Sequence, residues 1–278
     1  MANPQNKVNL CHFLTESLCN LGQEKLPLNK KLVIGGGLND GKEALSIEKG
    51  HWETVPSLKS DHEEADTRLL LHARNAVQDG VRIIIQSPDT DVLILCTSLF
   101  QEIGYEELWL RTGVKDKLRY IPVHDVSRTL GSKLCKALPG FHAVTGCDSN
   151  SSLAGIGKKK AWDALSRSQV HQESLSLLGE QSDLAQDVTT RCTAFICSLY
   201  PSPKKTPTSV DELRYLMFCQ RKQRASTTNL RQPDSSFEKS KLSSFCLEKF
   251  TCRYARVAFS REPRMGIRRR GLKTRFDE

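Results

Sequence analysis

The feature that most constrains the fold is an alternation of helical and strand patterns in the middle of the chain. Apolar residues follow one stripe through 60–80, with Ser60 as a capping residue and Gly80 as the stop, which predicts a helix. The run VRIIIQ at 81–86 predicts a strand directly after it. The same alternation continues with predicted strands at 106–112 and 117–123 and a helix at 124–138. Strand alternating with helix indicates an α/β domain with a largely parallel sheet and flanking helices.

The flanking segments are predicted from their local patterns. Leu10, Phe13, Leu14, Leu18 and Leu21 recur at helical spacing and predict an amphipathic helix over 8–21. A short strand at 32–34 is expected to run into a glycine-rich turn. Beyond residue 148 the pattern is mostly helical, with helices expected at 157–168, 174–180, 183–200 and 209–224. From residue 225 onward no periodicity persists, and a basic, disordered tail is expected.

The charge and cysteine content narrow the class of partner. The net charge of +9 comes largely from basic clusters, which favour a polyanionic partner such as nucleic acid.

The sequence has neither an apolar run of about 18 residues nor the basic-then-apolar order of a secretory signal, so no membrane association is expected and an intracellular, nuclear location is predicted. The ten cysteines include no C-x-x-C pair, so zinc is not expected.

Two carboxylates, Asp89 and Asp91, follow the predicted strand at 81–86. Ligands of open α/β sheets bind at the carboxyl ends of strands, where this SPDTD segment would lie. Like charges so close together repel unless a cation is held between them. The alternative is structural, with Asp89 capping the following helix and Asp91 as a solvated acid in its first turn.

A second acidic pair, Glu64 and Asp66, lies at the start of the preceding helix. Residues two apart on a regular helix do not face each other. Both could therefore serve one site only if Glu64 lies in a capped or frayed first turn. Glu63 with Asp66 remains an alternative pair.

A third group of polar residues begins at Asp148 and continues through Gly155 and Gly157 into Lys158, Lys159 and Lys160. Glycines there would let a phosphate approach the backbone N–H groups at a helix start, and the lysines would supply counter-charge. The same residues are also typical of an ordinary turn.

Four histidines, His62, His72, His124 and His142, are scattered between these segments. Each could act as a base, but hydrolysis assisted by two metal ions requires none. They are interpreted as structural.

Taken in chain order, these acidic and glycine-lysine blocks resemble the flap endonuclease and XPG-type 5′ nuclease family, a branch of the PIN-like nuclease fold. That family shows an E-A-E-like block, a D-x-D after the next strand, a G-x-D, and a G-I-G-x-(K/R)-(K/R)-A hairpin. The matching residues are Glu64-Ala65-Asp66, Asp89-Thr90-Asp91, Gly146-Cys147-Asp148 and Gly155-Ile156-Gly157-Lys158-Lys159-Lys160-Ala161. The resemblance covers about 61–165, with an aspartate in place of the second glutamate of the first block.

The resemblance implies a two-metal nuclease. Five carboxylates, Glu64, Asp66, Asp89, Asp91 and Asp148, would be catalytic and would coordinate two Mg²⁺ or Mn²⁺ ions. The helix-two-turn-helix-like hairpin at 149–161 would grip a branched or flapped DNA duplex without reading its sequence. Its glycine N–H groups and lysines would contact the backbone, and a K⁺ ion is implied at the hairpin.

The resemblance also predicts the domain limits. The family usually opens with a strand ending in an aspartate, a second acidic block and a helical arch, and these are not found here. The chain is therefore expected to be a fragment or truncated homologue, similar to the C-terminal part of longer, mobile-element-like animal proteins. A truncated PIN-like domain is expected at 1–145, a helical hairpin and helical extension at 146–224, and a tail at 225–278.

Three functions remain open at this point. The first is a metal-dependent, structure-specific nuclease. The second is a degenerate nuclease fold that only binds nucleic acid through the hairpin and the basic tail. The third is a scaffold or interaction domain in which the acidic residues are only helix caps and solvated charges.

Overall fold

The fold is mixed α/β and mostly helical, as seen in a computed structural model that describes residues 4–36, 41–60, 65–76, 82–147, 150–178, 186–200 and 206–225. The helices in these ranges are α1 (Pro4–Lys25), α2 (Ala65–Ala76), α3 (Thr90–Ile103), α4 (Val123–Thr145), α5 (Lys158–Arg167), α6 (Gln169–Ser176), α7 (Gln186–Ser198) and α8 (Val210–Ala225). The strands are β1 (Leu32–Gly35), β2 (Ala44–Glu48), β3 (His51–Thr54), β4 (Arg82–Gln86), β5 (Glu107–Thr112) and β6 (Arg119–Pro122). The α/β class and the helical C-terminal part are confirmed.

The first sheet is an antiparallel meander in the order β1-β2-β3. Only Lys49 and Gly50 separate β2 from β3, and such a short link can join only antiparallel strands. Gly50 takes the positive φ of 77° that the turn requires. The sequence pattern predicted β1 but not β2 or β3, because the glycines before β2 indicated only a turn.

Helix α1 is confirmed, but its apolar side is not buried. Thr15 is buried, whereas the apolar residues at helical spacing are exposed: Val8, Leu10, Phe13, Leu14, Leu18 and Leu21. Periodicity predicted the helix correctly because the spacing is local. It could not predict whether another element covers that face.

The second sheet has the order β4-β5-β6 and contains one parallel pair. Strands β4 and β5 are parallel because α3 provides the crossover between them. Strands β5 and β6 are antiparallel, since only residues 113–118 join them. The sheets described here are therefore not largely parallel, in contrast to the prediction.

One hydrophobic core lies between the second sheet and helices α2 and α3. Leu70 of α2, Ile85 of β4, Val92 of α3 and Leu108 of β5 all belong to it. Each such side chain stabilises the fold by about 1.5–3 kcal/mol when fully buried. The core holds the end of β4 and the start of α3 in place, where Asp89 and Asp91 lie.

A second core lies among the helices that follow the second sheet. It includes Leu165 of α5, Leu175 of α6 and Phe195 of α7, all fully buried. Helix α4 contributes Phe141 to this core and also contacts α3. Its backbone leaves helical geometry at Gly131, with φ 76° and ψ 163°. Helix α4 thus connects the sheet and its flanking helices to the helical part of the chain.

No helix in the part of the chain that the structure describes is both long and apolar enough to cross a membrane.

Candidate metal and phosphate site

The first part of the site is the turn that joins β4 to α3. Asp89 is the N-cap of α3, and its Oδ1 accepts a hydrogen bond of 2.9 Å from the backbone N–H of Asp91. The backbone N–H of Asp89 donates to Oγ of Ser87 at 3.1 Å. The N–H of Ser87 in turn donates to the carbonyl of Arg111 on β5 at 3.2 Å. The capping role predicted as an alternative for Asp89 is confirmed, and the turn is anchored to the sheet.

The second carboxylate, Asp91, is not a solvated surface acid. It is 8% exposed, and its Oδ1 lies 2.7 Å from Nε2 of His142 on α4, which is 6% exposed. The interpretation of Asp91 as a solvated first-turn acid is therefore wrong. Burial of a carboxylate costs free energy unless the carboxylate has a hydrogen-bonding partner, and His142 is such a partner.

Lys158, the first residue of α5, extends this arrangement. Its Nζ lies 3.3 Å from Nδ1 of His142. A lysine ammonium can only donate, so Nδ1 must be the acceptor and the ring proton must be on Nε2, from which it is donated to Asp91. The result is a continuous chain from Asp91 through His142 to Lys158.

The G-I-G segment forms a tight turn before α5. Gly155 takes a φ of +73°, which glycine adopts at no steric cost. The N–H of Ile156 donates to the carbonyl of Leu153 at 3.2 Å, and both side chains are buried in the helical core. A Cβ added at Gly155 or at Gly157 would meet nothing within 4 Å. The outer side of the turn is therefore open to an approaching group.

The remaining lysines lie on the surface beside this turn. Lys159 and Lys160 are exposed, as is Lys158. The backbone N–H groups at the start of a helix have no partner within the helix and carry partial positive charge. The start of α5 combines such N–H groups with three lysine charges, which suits a phosphate.

The other predicted carboxylates are only partly located. Asp66 lies in the first turn of α2 and is half-buried. Glu64 and Asp148, together with the alternative ligand Glu63, lie outside the described residues. Among the residues that the structure does describe, no three histidine, cysteine, aspartate or glutamate side chains are grouped so that they could hold a metal ion. Asp66 is thus not brought into such a group with Asp89 and Asp91.

The donor chemistry at the start of α3 nevertheless fits Mg²⁺ or Mn²⁺. Mg²⁺ prefers oxygen ligands, keeps several waters, and is commonly bound by one or two carboxylates together with substrate phosphates. Asp89 and Asp91 provide two carboxylates within one helical turn. Each carboxylate has two oxygens, and each oxygen can accept hydrogen bonds or bind a cation.

His142 is the site residue that the sequence analysis did not select. It is 51 residues from Asp91, so no local spacing connects the two. The only available signal was its position in the FHAVTGCD segment, just before the third acidic block.

The other histidines in the described ranges have no such link to the carboxylates. Nδ1 of His124 lies 2.9 Å from the carbonyl oxygen of Leu108 in the sheet. His72 lies close to Gly35, and burial, followed by the charge of Arg68, lowers the pKa of its imidazole. These two histidines have the structural surroundings that the sequence analysis expected. His62 lies outside the described residues.

No family model matches this chain, and comparisons with curated proteins and with solved structures find no match either. The resemblance to flap endonucleases therefore depends on the motif residues alone.

Proposed function

We propose that this chain is a metal-dependent, nuclease-like protein that hydrolyses DNA phosphodiesters, with a PIN-like arrangement around β4 and α3. The observation that carries the proposal is the hydrogen-bonded chain from Asp91 through His142 to Lys158. It joins the second acidic block to the lysine block, although Asp91 and Lys158 are 67 positions apart in the sequence. A carboxylate suited to a divalent cation and a lysine suited to a phosphate are thus separated by a single imidazole.

Each group has a distinct role in this proposal. Asp89 and Asp91 hold Mg²⁺ or Mn²⁺, with Glu64, Asp66 and Asp148 as the further ligands that the resemblance implies. When bound, such ions activate a water and stabilise the leaving oxygen of the phosphodiester. Lys158, Lys159 and Lys160, with the N–H groups at the start of α5, bind the sugar-phosphate backbone. These contacts hold a duplex without reading its sequence.

The test is Mn²⁺-supported cleavage of a labelled flap duplex by this chain and by a version extended with its upstream coding sequence. Asp89→Asn is the informative variant, because asparagine also caps helices well but cannot replace the charge. Asp116→Asn is the matched control, since Asp116 is an exposed carboxylate in the turn between β5 and β6. We expect cleavage that falls at least about a hundredfold in Asp89→Asn and is unchanged in Asp116→Asn. Equal activity of the two variants would contradict the proposal.

Binding of nucleic acid without hydrolysis is the second candidate. It is favoured by the bonds that Asp89 and Asp91 already make inside the protein, one to the start of α3 and one to His142. If this is the function, the affinity for a duplex should be the same in Mn²⁺ and in EDTA. Neither this chain nor the extended version should cleave the duplex. Affinity that falls steeply with salt would still be expected, because the lysines displace counterions.

A further inference from the structure

We propose that His142 is a positioning residue that couples the cation-binding carboxylate of Asp91 to the phosphate-binding lysine, Lys158. This inference rests on the proposed function and adds to it a residue that belongs to none of the motif blocks. It assigns one imidazole to two tasks, one for each ring nitrogen. Neither task requires His142 to contact the metal ion or the DNA.

The contacts of His142 account for both of its ring nitrogens. Nε2 donates to Oδ1 of Asp91 at 2.7 Å, and Nδ1 accepts from Nζ of Lys158 at 3.3 Å. The side chain is buried, and it is supplied by α4, an element separate from both α3 and α5. Since α4 also contacts α3, the imidazole is held by the packing of the fold.

The bond to Asp91 sets the direction in which its carboxylate points. Carboxylates that bind metal ions are commonly held by hydrogen bonds from a second layer of residues, and loss of such a partner typically lowers metal affinity by about 10- to 100-fold. Asp91 is in the first turn of α3, where the backbone alone does not choose its rotamer. The hydrogen bond from His142 restrains that rotamer.

The bond to Lys158 restrains a side chain that would otherwise move freely. Lysine carries its charge on a flexible four-carbon stem, so an exposed lysine contributes a mobile charge. Lys159, the next residue, is also exposed, and the hydrogen bonds of the described residues include none from it to a side chain. Lys159 is therefore the matched control for Lys158, with the same charge and the same helix start.

Two substitutions separate the two tasks of His142. Glutamine can place an amide N–H where Nε2 lies and so keep the donor to Asp91, but it loses the acceptor for Lys158. Asparagine can place its carbonyl oxygen where Nδ1 lies and so keep the acceptor for Lys158, but it loses the donor to Asp91. The two variants are of similar polarity, so a purely structural role would affect both alike.

The experiment measures Mn²⁺ affinity and duplex affinity separately, by Mn²⁺ titration without DNA and by DNA binding in the presence of Ca²⁺. We expect His142→Asn to weaken Mn²⁺ binding about tenfold or more while leaving DNA binding within about twofold of the wild type. We expect the reverse for His142→Gln, with DNA binding weakened about threefold or more and Mn²⁺ binding nearly unchanged. Thermal unfolding of each variant reports whether it is folded.

Lysine variants extend the test without altering a buried residue. Lys158→Met should weaken DNA binding, and adding His142→Gln to it should cause little further loss, because both changes remove the same restraint. When His142→Gln is added to Lys159→Met, the loss of DNA affinity should be the product of the fold losses of the two single variants. Long-range ¹H–¹⁵N spectra of the wild-type imidazole should show the proton on Nε2 and an accepting Nδ1.

The outcomes separate the inference from the function on which it rests. If the wild type binds neither Mn²⁺ nor DNA, the proposed function fails and the inference fails with it. If the wild type binds both but His142→Asn and His142→Gln change the two affinities alike, only the inference is overturned. Observation of the proton on Nδ1 would also overturn the inference.

Discussion

Nε2 of His142 lies 2.7 Å from Oδ1 of Asp91, although the two residues are 51 positions apart. Both side chains are buried, and this hydrogen bond gives each of them a polar partner there. The bond joins α4 to the first turn of α3, next to the end of β4. It is therefore a structural contact as well as part of the candidate site, and the two roles need separate measurements.

The first prediction concerns the stability that this pair contributes. Asp91→Ala should lower the free energy of unfolding by about 2–3 kcal/mol, because a hydrogen bond to a charged group is lost and a buried imidazole is left unsatisfied. Urea denaturation followed by circular dichroism measures the change. Asp125→Ala is the control, since Asp125 pairs with His124 at 3.6 Å but is 61% exposed, and it should cost less than about 1 kcal/mol. Similar losses in the two variants would contradict a special role for the buried pair.

The second prediction separates the cap from the charge at Asp89. Asp89→Ala should destabilise the protein by about 1 kcal/mol through loss of the hydrogen bond to the N–H of Asp91. Asp89→Asn should preserve stability within about 0.5 kcal/mol, because asparagine caps helices as well as aspartate does. Denaturation gives both values. If Asp89→Asn is as unstable as Asp89→Ala, the carboxylate charge itself stabilises the turn.

The third prediction concerns Gly146, the first residue of the third acidic block, which directly follows α4. Its φ of 109° and ψ of 130° lie in a region that favours glycine, and an added Cβ would come within 2.7 Å of the Cα of Ser152. Gly146→Ala should therefore cost about 1–3 kcal/mol from backbone strain, with a further cost from the contact. The control is Gly104→Ala, where φ is also positive but a Cβ would meet nothing within 4 Å. Thermal unfolding should show the larger loss for Gly146→Ala.

The fourth prediction concerns alkaline pH and two buried cysteines, one in each core. Burial raises the pKa of Cys96 and that of Cys192 from 9.0 to about 12. Above about pH 9 the unfolded chain loses thiol protons that the folded chain keeps, so stability must fall as the pH rises. The expected loss is about 1.4 kcal/mol for each thiol between about pH 8 and pH 10.

The measurement for this prediction is the free energy of unfolding at both pH values, in the wild type and in Cys96→Ala. The variant should be less stable at pH 8 because of the cavity, but its further loss up to pH 10 should be smaller by about 1.4 kcal/mol. The same loss in the two proteins would show that the Cys96 thiol does not contribute to the pH dependence.

The second sheet illustrates how far local sequence patterns predict this fold. The strands β4, β5 and β6 were all found from runs of β-branched and aromatic residues. The direction of β6 was not predicted correctly. Alternation of strands and helices suggested a parallel sheet, whereas the short link between β5 and β6 requires an antiparallel pair. Strands β2 and β3 were missed altogether, since glycines near a short apolar run resemble a turn.

By itself, the sequence determined elements whose cause is local, such as the strand before Asp89 and the turn at Gly155 before the lysines, and it offered the cap of α3 by Asp89 as one of two interpretations. Each depends on side chains a few positions apart, so spacing and residue type suffice. Only the tertiary structure decided that His142 lies between Asp91 and Lys158, and that the apolar side of α1 is exposed. These outcomes depend on how α1, α3, α4 and α5 pack against their neighbours, and packing brings together residues whose separation along the chain carries no signal.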